Sequence, residues 1–454
     1  MLAARFFSLS VVAVGFLYLP TVIKAQDPVS LVQVSRIGQV DQVQITLAAK
    51  GSVHADPAED KNAKPHPLRV STRLEFLEKT LEIGRDQYVK RSARKPNRAE
   101  SAIAGEVRPL SVTLRPEITL LVAKRRDDGE LVVVSPSANL TRSELEIVQA
   151  PGDPLGWTDF LPAKPVRVNE TWNVGPIAAK CLSGYDSLAG ETLKAKLVDL
   201  KDDHARIELT GAIHGASLGA VGSMKVQGEL RFDRRGGRID QIKIERSETR
   251  EPGAVEMGLD MKSTLKVVRT AARPDQTFDT TAIRADSPNL ELLRYQDTEG
   301  NLKFLHDRSW YIYWDDSRQI VLKRLDGGAV KAQCNMFTTP RGAARAEADI
   351  ERFKGDIRRG LGNRFVKFLD EGGWSPLASG DGRMFRIQVG GKAGDSEIVW
   401  VYYLVDGDDG RRVVATFTLE AATVKDFSDQ DLKIMGSLEW IKPDEKGRPT
   451  AESR

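Results

Sequence analysis

Across residues 40 to 270 the dominant pattern is alternation with period two, and this limits what the chain can build. Successive side chains on a strand point to opposite faces, so alternation buries one face of a sheet and wets the other. Val43, Ile45 and Leu47 alternate with Gln42, Gln44 and Thr46, and residues 70 to 76 (VSTRLEF) repeat the pattern. Two β-rich apolar runs, 118 to 123 and 131 to 134, flank Asp127-Asp128-Gly129-Glu130 and read as a hairpin. Residues 193 to 200, 204 to 213, 224 to 233, 239 to 249 and 256 to 270 read as further strands, with 234 to 238 (RRGGR) as a tight turn. Such spacing predicts one large antiparallel sheet. A single helix, expected at 177 to 188, would cover one of its faces. Residues 55 to 67 read as a Pro-rich surface loop. Residues 85 to 98 carry six Lys or Arg against one Asp and read as a solvated loop.

Residues 271 to 300 lose the periodicity and read as a linker. From 301 the order changes to strands, helix, strands, helix. Trp310 to Trp314 (WYIYW) opens the unit, and Asp326-Gly327-Gly328 turns one strand into the next. Residues 341 to 361 read as a helix with Ala344, Ala348, Phe353, Ile357 and Leu361 on one stripe. Strands follow at 383 to 389, 397 to 404 and 412 to 419. A last helix is expected at 427 to 438, and a polar tail over 441 to 454.

The first 25 residues have the order of a cleavable signal peptide. Arg5 precedes an uncharged run from 6 to 19, Pro20 breaks it, and Ala25 offers a small residue for cleavage. Fourteen apolar residues are fewer than the roughly 20 that span a bilayer. No cysteine follows the run, which argues against a lipid anchor, and no transmembrane segment is expected in the mature chain. The expectation is a protein exported to the periplasm or the extracellular space. An uncleaved anchor is the alternative.

The length of 454 residues exceeds what one core serves, so the domains are read as 28–272 and 301–440, joined by 273–300. A net charge of +3 gives no electrostatic case for nucleic acid. Two cysteines, Cys181 and Cys334, exclude a disulfide scaffold, leaving one interdomain bridge or two separate buried thiols.

Two segments resemble known families. The second unit resembles the PsbP-like α/β/α sandwich. The residues that carry this are 310 to 314, the hairpin VLKRLDGGAVKAQC, the helix after Pro340, the strand Trp400-Val401-Tyr402-Tyr403-Leu404, Asp409-Gly410-Arg411-Arg412 and the closing helix with Phe427, Asp431 and Leu438. The resemblance implies an exported or lumenal protein that acts by binding or by supporting an assembly. The first unit is similar to the LolA-like lipoprotein-carrier fold through Leu161-Pro162, Pro165, the run to Trp172 and the paired long strands from 193 to 270. It has Asn169-Glu170 where that family suggests Gly-Asp. This resemblance implies an apolar ligand held against the sheet. The expected class is therefore α+β: a large curved antiparallel sheet with a short covering helix, then a smaller α/β/α sandwich with two main helices.

Candidate chemistry is sparse. None of the five histidines, His54, His66, His204, His214 and His306, has metal-ligand spacing. His54, Asp56, Glu59, Asp60 and His66 share one loop, read as solvated rather than metal-binding. No Gly-x-Ser-x-Gly elbow occurs, and Cys334 has no nearby histidine in sequence. Asp406-Gly407-Asp408-Asp409-Gly410 lacks the spacing of an EF-hand and reads as a hairpin turn. The glycine-rich run from 215 to 222 precedes a strand, so it reads as a flexible loop or a close approach of backbones rather than a phosphate loop. Asn139-Leu140-Thr141 and Asn169-Glu170-Thr171 are sequons, meaningful only in a eukaryotic secretory pathway. In the aromatic run, Trp310 and Trp314 should share one face and Tyr311 and Tyr313 the other, one being core and the other a binding patch. No catalytic, cofactor or metal site is assigned. The leading expectation is a non-catalytic envelope protein whose β-rich unit binds an apolar ligand or lipid, while the second unit contacts an envelope protein. The alternatives are a hydrolase-type enzyme with carboxylates in an interdomain cleft, and a purely structural component.

Overall fold

The computed structural model describes residues 27–55, 64–85, 87–105, 109–281, 283, 288–297, 301–316, 318–339 and 350–441. The large sheet is built from β1 (Val40–His54), β2 (His66–Ile83), β3 (Val89–Gly105), β4 (Leu110–Thr113), β5 (Leu121–Arg125), β6 (Leu131–Val134), β7 (Thr171–Asn173), β8 (Ser187–Glu191), β9 (Lys194–Lys201), β10 (His204–Ser217), β11 (Ala220–Asp233), β12 (Arg238–Arg250) and β13 (Gly258–Ala271). Its spatial order is β6-β5-β3-β2-β1-β13-β12-β11-β10-β9-β7, with β4 beside β3 and β8 beside β10. Every described pairing in it is antiparallel, and β1 joins the two halves of the sheet by pairing both β2 and β13. The period-two alternation thus does what it implies. Val43, Ile45, Leu74, Phe76, Ile244, Leu265 and Val267 all face one core.

The cover on that face is thin. It consists of a 3-10 turn at Pro154–Phe160, helix α2 (Pro176–Ser183) and the strap around Leu31. Trp157 and Phe160 are fully buried in it. Helix α1 (Arg142–Val148) packs beside β3 and β4, and its start is fixed by a capping box between Thr141 and Glu144. The 3-10 turn touches both ends of the sheet. Arg125 on β5 reaches Leu155 O and Asp159, and Trp172 on β7 donates to Phe160 O.

A buried charge network fastens this cover to the sheet. Arg94 on β3 makes a paired contact with Asp153, at 2.6 and 2.7 Å, and bonds Glu78 on β2 at 3.0 Å. Arg269 on β13 reaches Asp41 at 2.9 Å and lies 3.6 Å from Glu78, and Arg238 also pairs with Asp41. Three guanidiniums thus face three carboxylates, all of them buried except the partly exposed Arg238. The solvated loop expected over 85–98 is instead mostly strand β3. The fork geometry of Arg94 satisfies two carboxylates at once, which makes its burial tolerable.

The second unit contains β14 (Leu293–Gln296), β15 (Leu302–His306), β16 (Trp310–Asp315), β17 (Gln319–Asp326), β18 (Ala329–Thr339), helix α3 (Ile350–Leu361), β19 (Phe365–Asp370), β20 (Trp374–Pro376), β21 (Gly382–Ala393), β22 (Ser396–Gly407), β23 (Arg412–Glu420), α4 (Val424–Phe427), α5 (Gln430–Gly436) and β24 (Glu439–Trp440). An eight-stranded sheet runs β16-β17-β18-β23-β22-β21-β19 with β20 beside β21, and a small sheet runs β14-β15-β24. The segment read as linker therefore contains a 3-10 turn at Pro288–Glu291 and strand β14.

The expected α+β class, with its α/β/α sandwich, is corrected. Strands take 56% of the structure and helices 14%, in three antiparallel sheets. Among the described residues the helices are too short and too few to form layers. Gly184 in the left-handed region, at φ 70°, ends α2 where the expected helix ran on to 188. Ser428, at φ 52°, splits the expected 427–438 helix into α4 and α5. Part of the helix expected over 341–361 lies outside the described residues, and α3 is the remainder.

Candidate functional site

The large sheet outruns its core. Residues directly opposite one another in an antiparallel pair project from the same face. Leu47 sits opposite Leu265 and so marks the inner face. Beyond it the same face continues through Ala49, opposite Val70, which is opposite Ile103, which is opposite Leu110. The next rank is Leu68, Gly51 and Met261, and the last pairs Val53 with Leu259.

These inner-face side chains, Ala49, Val53, Leu68, Val70, Ile103, Leu110, Leu259 and Met261, are half-buried, and none belongs to the apolar cores of the described residues. Their outer-face neighbours, Ala48, Lys50, Arg69, Ser71, Asp260 and Lys262, are exposed. The result is an apolar shelf across β4, β3, β2, β1 and β13. Gly51 lowers its middle, where Met261 Sδ lies 2.7 Å from where a Cβ would stand. Three ranks at about 6.8 Å spacing, narrowing from four strands at about 4.8 Å to two, give a floor roughly 14 Å on each side at its widest.

Polar groups border the shelf. Across β12, Arg246 lies opposite Ser263, Glu248 opposite Met261 and Arg250 opposite Leu259. Arg246 donates to Leu182 O at 2.6 Å and to Ser263 Oγ at 3.0 Å, and Arg250 pairs with Glu256 at 2.8 Å. Two carboxyls here are held above their usual range. Burial is the main cause for Glu256, with Asp186 and Glu248 adding to it against Arg250. Burial, then the charge of Glu256, raises Glu146 on α1, which Arg142 opposes. Both carboxyls nonetheless keep contact with solvent.

Between the two units lies a crevice with two lobes, cavities of about 480 and 430 Å³ that share Glu130, Asp186, Arg308 and Tyr311. The larger is walled by Leu145, Ile177 and Tyr185, the smaller by Gly219, Leu325 and Gly328. Volumes of this size suit small ligands.

The aromatic run does not form one patch. Trp310 is fully buried, edge-on to Phe417 and Phe427. Tyr311 lies beneath the Arg142 guanidinium, 4.2 Å from it, and Tyr313 beneath Lys323 Nζ at 3.3 Å. A register shift between Ile312 and Trp314 breaks the alternation, so Trp314 is 56% exposed and bonds Asp316 instead of sharing the face of Trp310. Cys181 and Cys334 are both free, which corrects the interdomain bridge. Cys334 is buried in the second unit's core, and Cys181 packs against the first unit's.

His54 and His66 lie at the ends of β1 and β2, while Asp56, Glu59 and Asp60 fall outside the described residues. The Asp406–Gly410 run is a turn, with Gly407 N–H bonded to Arg411 O and Asp406 paired to Arg412. The 215–222 glycines are the close approach that sequence reading allowed. A Cβ at Gly215 or Gly222 would stand 2.7 Å from the Tyr185 side chain. Sequence reading missed the shelf because its signal, unbroken alternation past the core, is the same as that of a covered sheet.

No family model matches the chain, and no curated protein matches it. Solved structures give weak likenesses. A Bacteroides thetaiotaomicron protein is 10% identical with a TM-score of 0.24, over 34% of this chain and 49% of that one. DynF of the dynemicin biosynthesis pathway of Micromonospora chersina is 10% identical at 0.16, over 58% and 95%. The translocator domain of the autotransporter NalP from Neisseria meningitidis is 7% identical at 0.12, over 84% and 88%. The chain thus spans about half the length of the first of these. Likeness at this level identifies neither a fold family nor a function. Among the described residues no helix is long and apolar enough to cross a membrane.

Proposed function

We propose that this is an exported, non-catalytic binding protein of the cell envelope that holds an apolar chain on the inner face of its large sheet. The observation that supports this is the shelf. Alternation stays largely apolar on one face for three ranks beyond the core, interrupted by Ser263 and His66, where the described residues supply no covering core. Wetting such a face costs about 25 cal/mol per Å², and an apolar chain laid along it recovers that term. The charged border of Arg246, Glu248, Arg250 and Glu256 suits the polar end of an amphiphile. The LolA-like resemblance points the same way. The edge strand β16, with Tyr313 and Trp314 exposed, is the surface proposed for an envelope protein partner.

Solvent extraction of protein purified from its own envelope, followed by lipid mass spectrometry, tests the reading. A bound long-chain lipid is expected from the native protein, and none from Ile103→Asp. No lipid from either would end it.

The rival hydrolase-type reading draws on Glu146 and Glu256, two carboxyls held above their usual range. It requires turnover of an ester or glycoside that Glu146→Gln and Glu256→Gln each abolish.

A further inference from the structure

The four apolar cores divide between the units. Two draw on residues up to Leu293, and two on residues from Tyr295 onward. Strand β14 therefore sits in both, with Leu293 in one core and Tyr295 in the other. It is also tied to the first unit through Arg294 N–H and Leu140 O, at 2.8 Å.

Elsewhere the described bridges are of another kind. Arg142 donates to Arg308 O and Trp310 O, at 2.5 and 3.0 Å. Arg308 donates to Val133 O at 2.7 Å, and Lys323 to Ala254 O at 2.8 Å. At the far end two hairpin tips touch backbone to backbone. A Cβ on Gly219 would stand 2.1 Å from Gly328 O, so both tips depend on glycine. Opening these bridges exchanges protein hydrogen bonds for hydrogen bonds to water, which offsets much of their strength. The two-lobed crevice shows that the seam is not close-packed. Small polar seams between domains allow relative motion.

We infer that the unit from 301 to 441 is a hinged cover. It pivots about β14, and the clasp between Gly219 and Gly328 opens and closes the smaller lobe of the crevice. What the motion admits rests on the proposed ligand reading; the motion itself does not.

Spin labels at Val221→Cys and Val330→Cys, two residues beyond each tip, report on the clasp. Both positions are exposed, at 60% and 42%. Cys181→Ser removes the one native thiol that is not fully buried, and Cys334 stays out of reach in its core. Pulsed dipolar spectroscopy on the full chain should give two distance populations. Lys323→Met, alone and with Arg142→Gln, should raise the longer one about fivefold or more. One narrow distance in all three proteins would overturn the cover. Palmitate, titrated in parallel, separates the two ideas. Two populations without palmitate binding keep the hinge and remove the ligand reading. Palmitate binding with a single fixed distance does the reverse.

Discussion

Arg94 shows how much one side chain carries here. It is buried with Glu78 and Asp153, and it lies over the Phe76 ring at 4.7 Å. Breaking such a group by removing one partner leaves charges uncompensated, which costs about 3–5 kcal/mol. Arg94→Met should lower stability by that amount in urea denaturation. Replacing Glu78 and Asp153 by apolar residues in the same protein should recover most of it, since a buried ion group and a well-packed apolar one are often close in free energy. His306 makes a second residue-scale case. It is 2% exposed, and burial, with Arg142 nearby, lowers its pKa to about 4 from 6.5. Between those values the unfolded chain binds a proton that the folded one refuses. Stability from this group is therefore full above about 6.5 and falls as pH drops toward 4, by at most about 3 kcal/mol. His306→Phe should flatten that limb of the pH–stability curve.

At the scale of elements, the capping box of α1 is worth testing because the helix positions Arg142 and Glu146. Thr141→Ala should cost about 1 kcal/mol in thermal or urea unfolding, and Thr141→Ser should restore it. The box, Thr141-x-x-Glu144, stands in the sequence and could have found the helix; strand periodicity on both sides hid it. The long strands were legible because alternation is a direct image of a half-buried sheet. Three local events were not. Arg94 is buried only because Asp153, far along the chain, folds back over β3. The register shift at Ile312 turns Trp314 outward against its own alternation. Ser428 breaks a helix whose apolar spacing looked continuous. In each case a distant contact or a single backbone angle overrides the local pattern.

At the scale of the molecule, two units with separate cores meet at β14, whose Leu293 and Tyr295 lie in different cores, and the largest sheet leaves an apolar shelf beyond its own core. The compartment and the apolar ligand were expectations from the signal-peptide order and the LolA-like pattern. The candidate site itself was only half legible. Residues 68, 70 and 103 alternate as any strand does, and only the pairing register shows that their face extends past the cover. The proposed function turns on that shelf holding an apolar chain. The most direct measurement is a titration of the purified full chain with a long-chain fatty acid whose fluorescence rises on leaving water, run beside Val70→Asp and, as an outer-face control, Ser71→Asp. Saturable binding by the native protein and by Ser71→Asp, lost in a still-folded Val70→Asp, is the predicted result. Equal binding by all three proteins, or binding by none, would contradict the account.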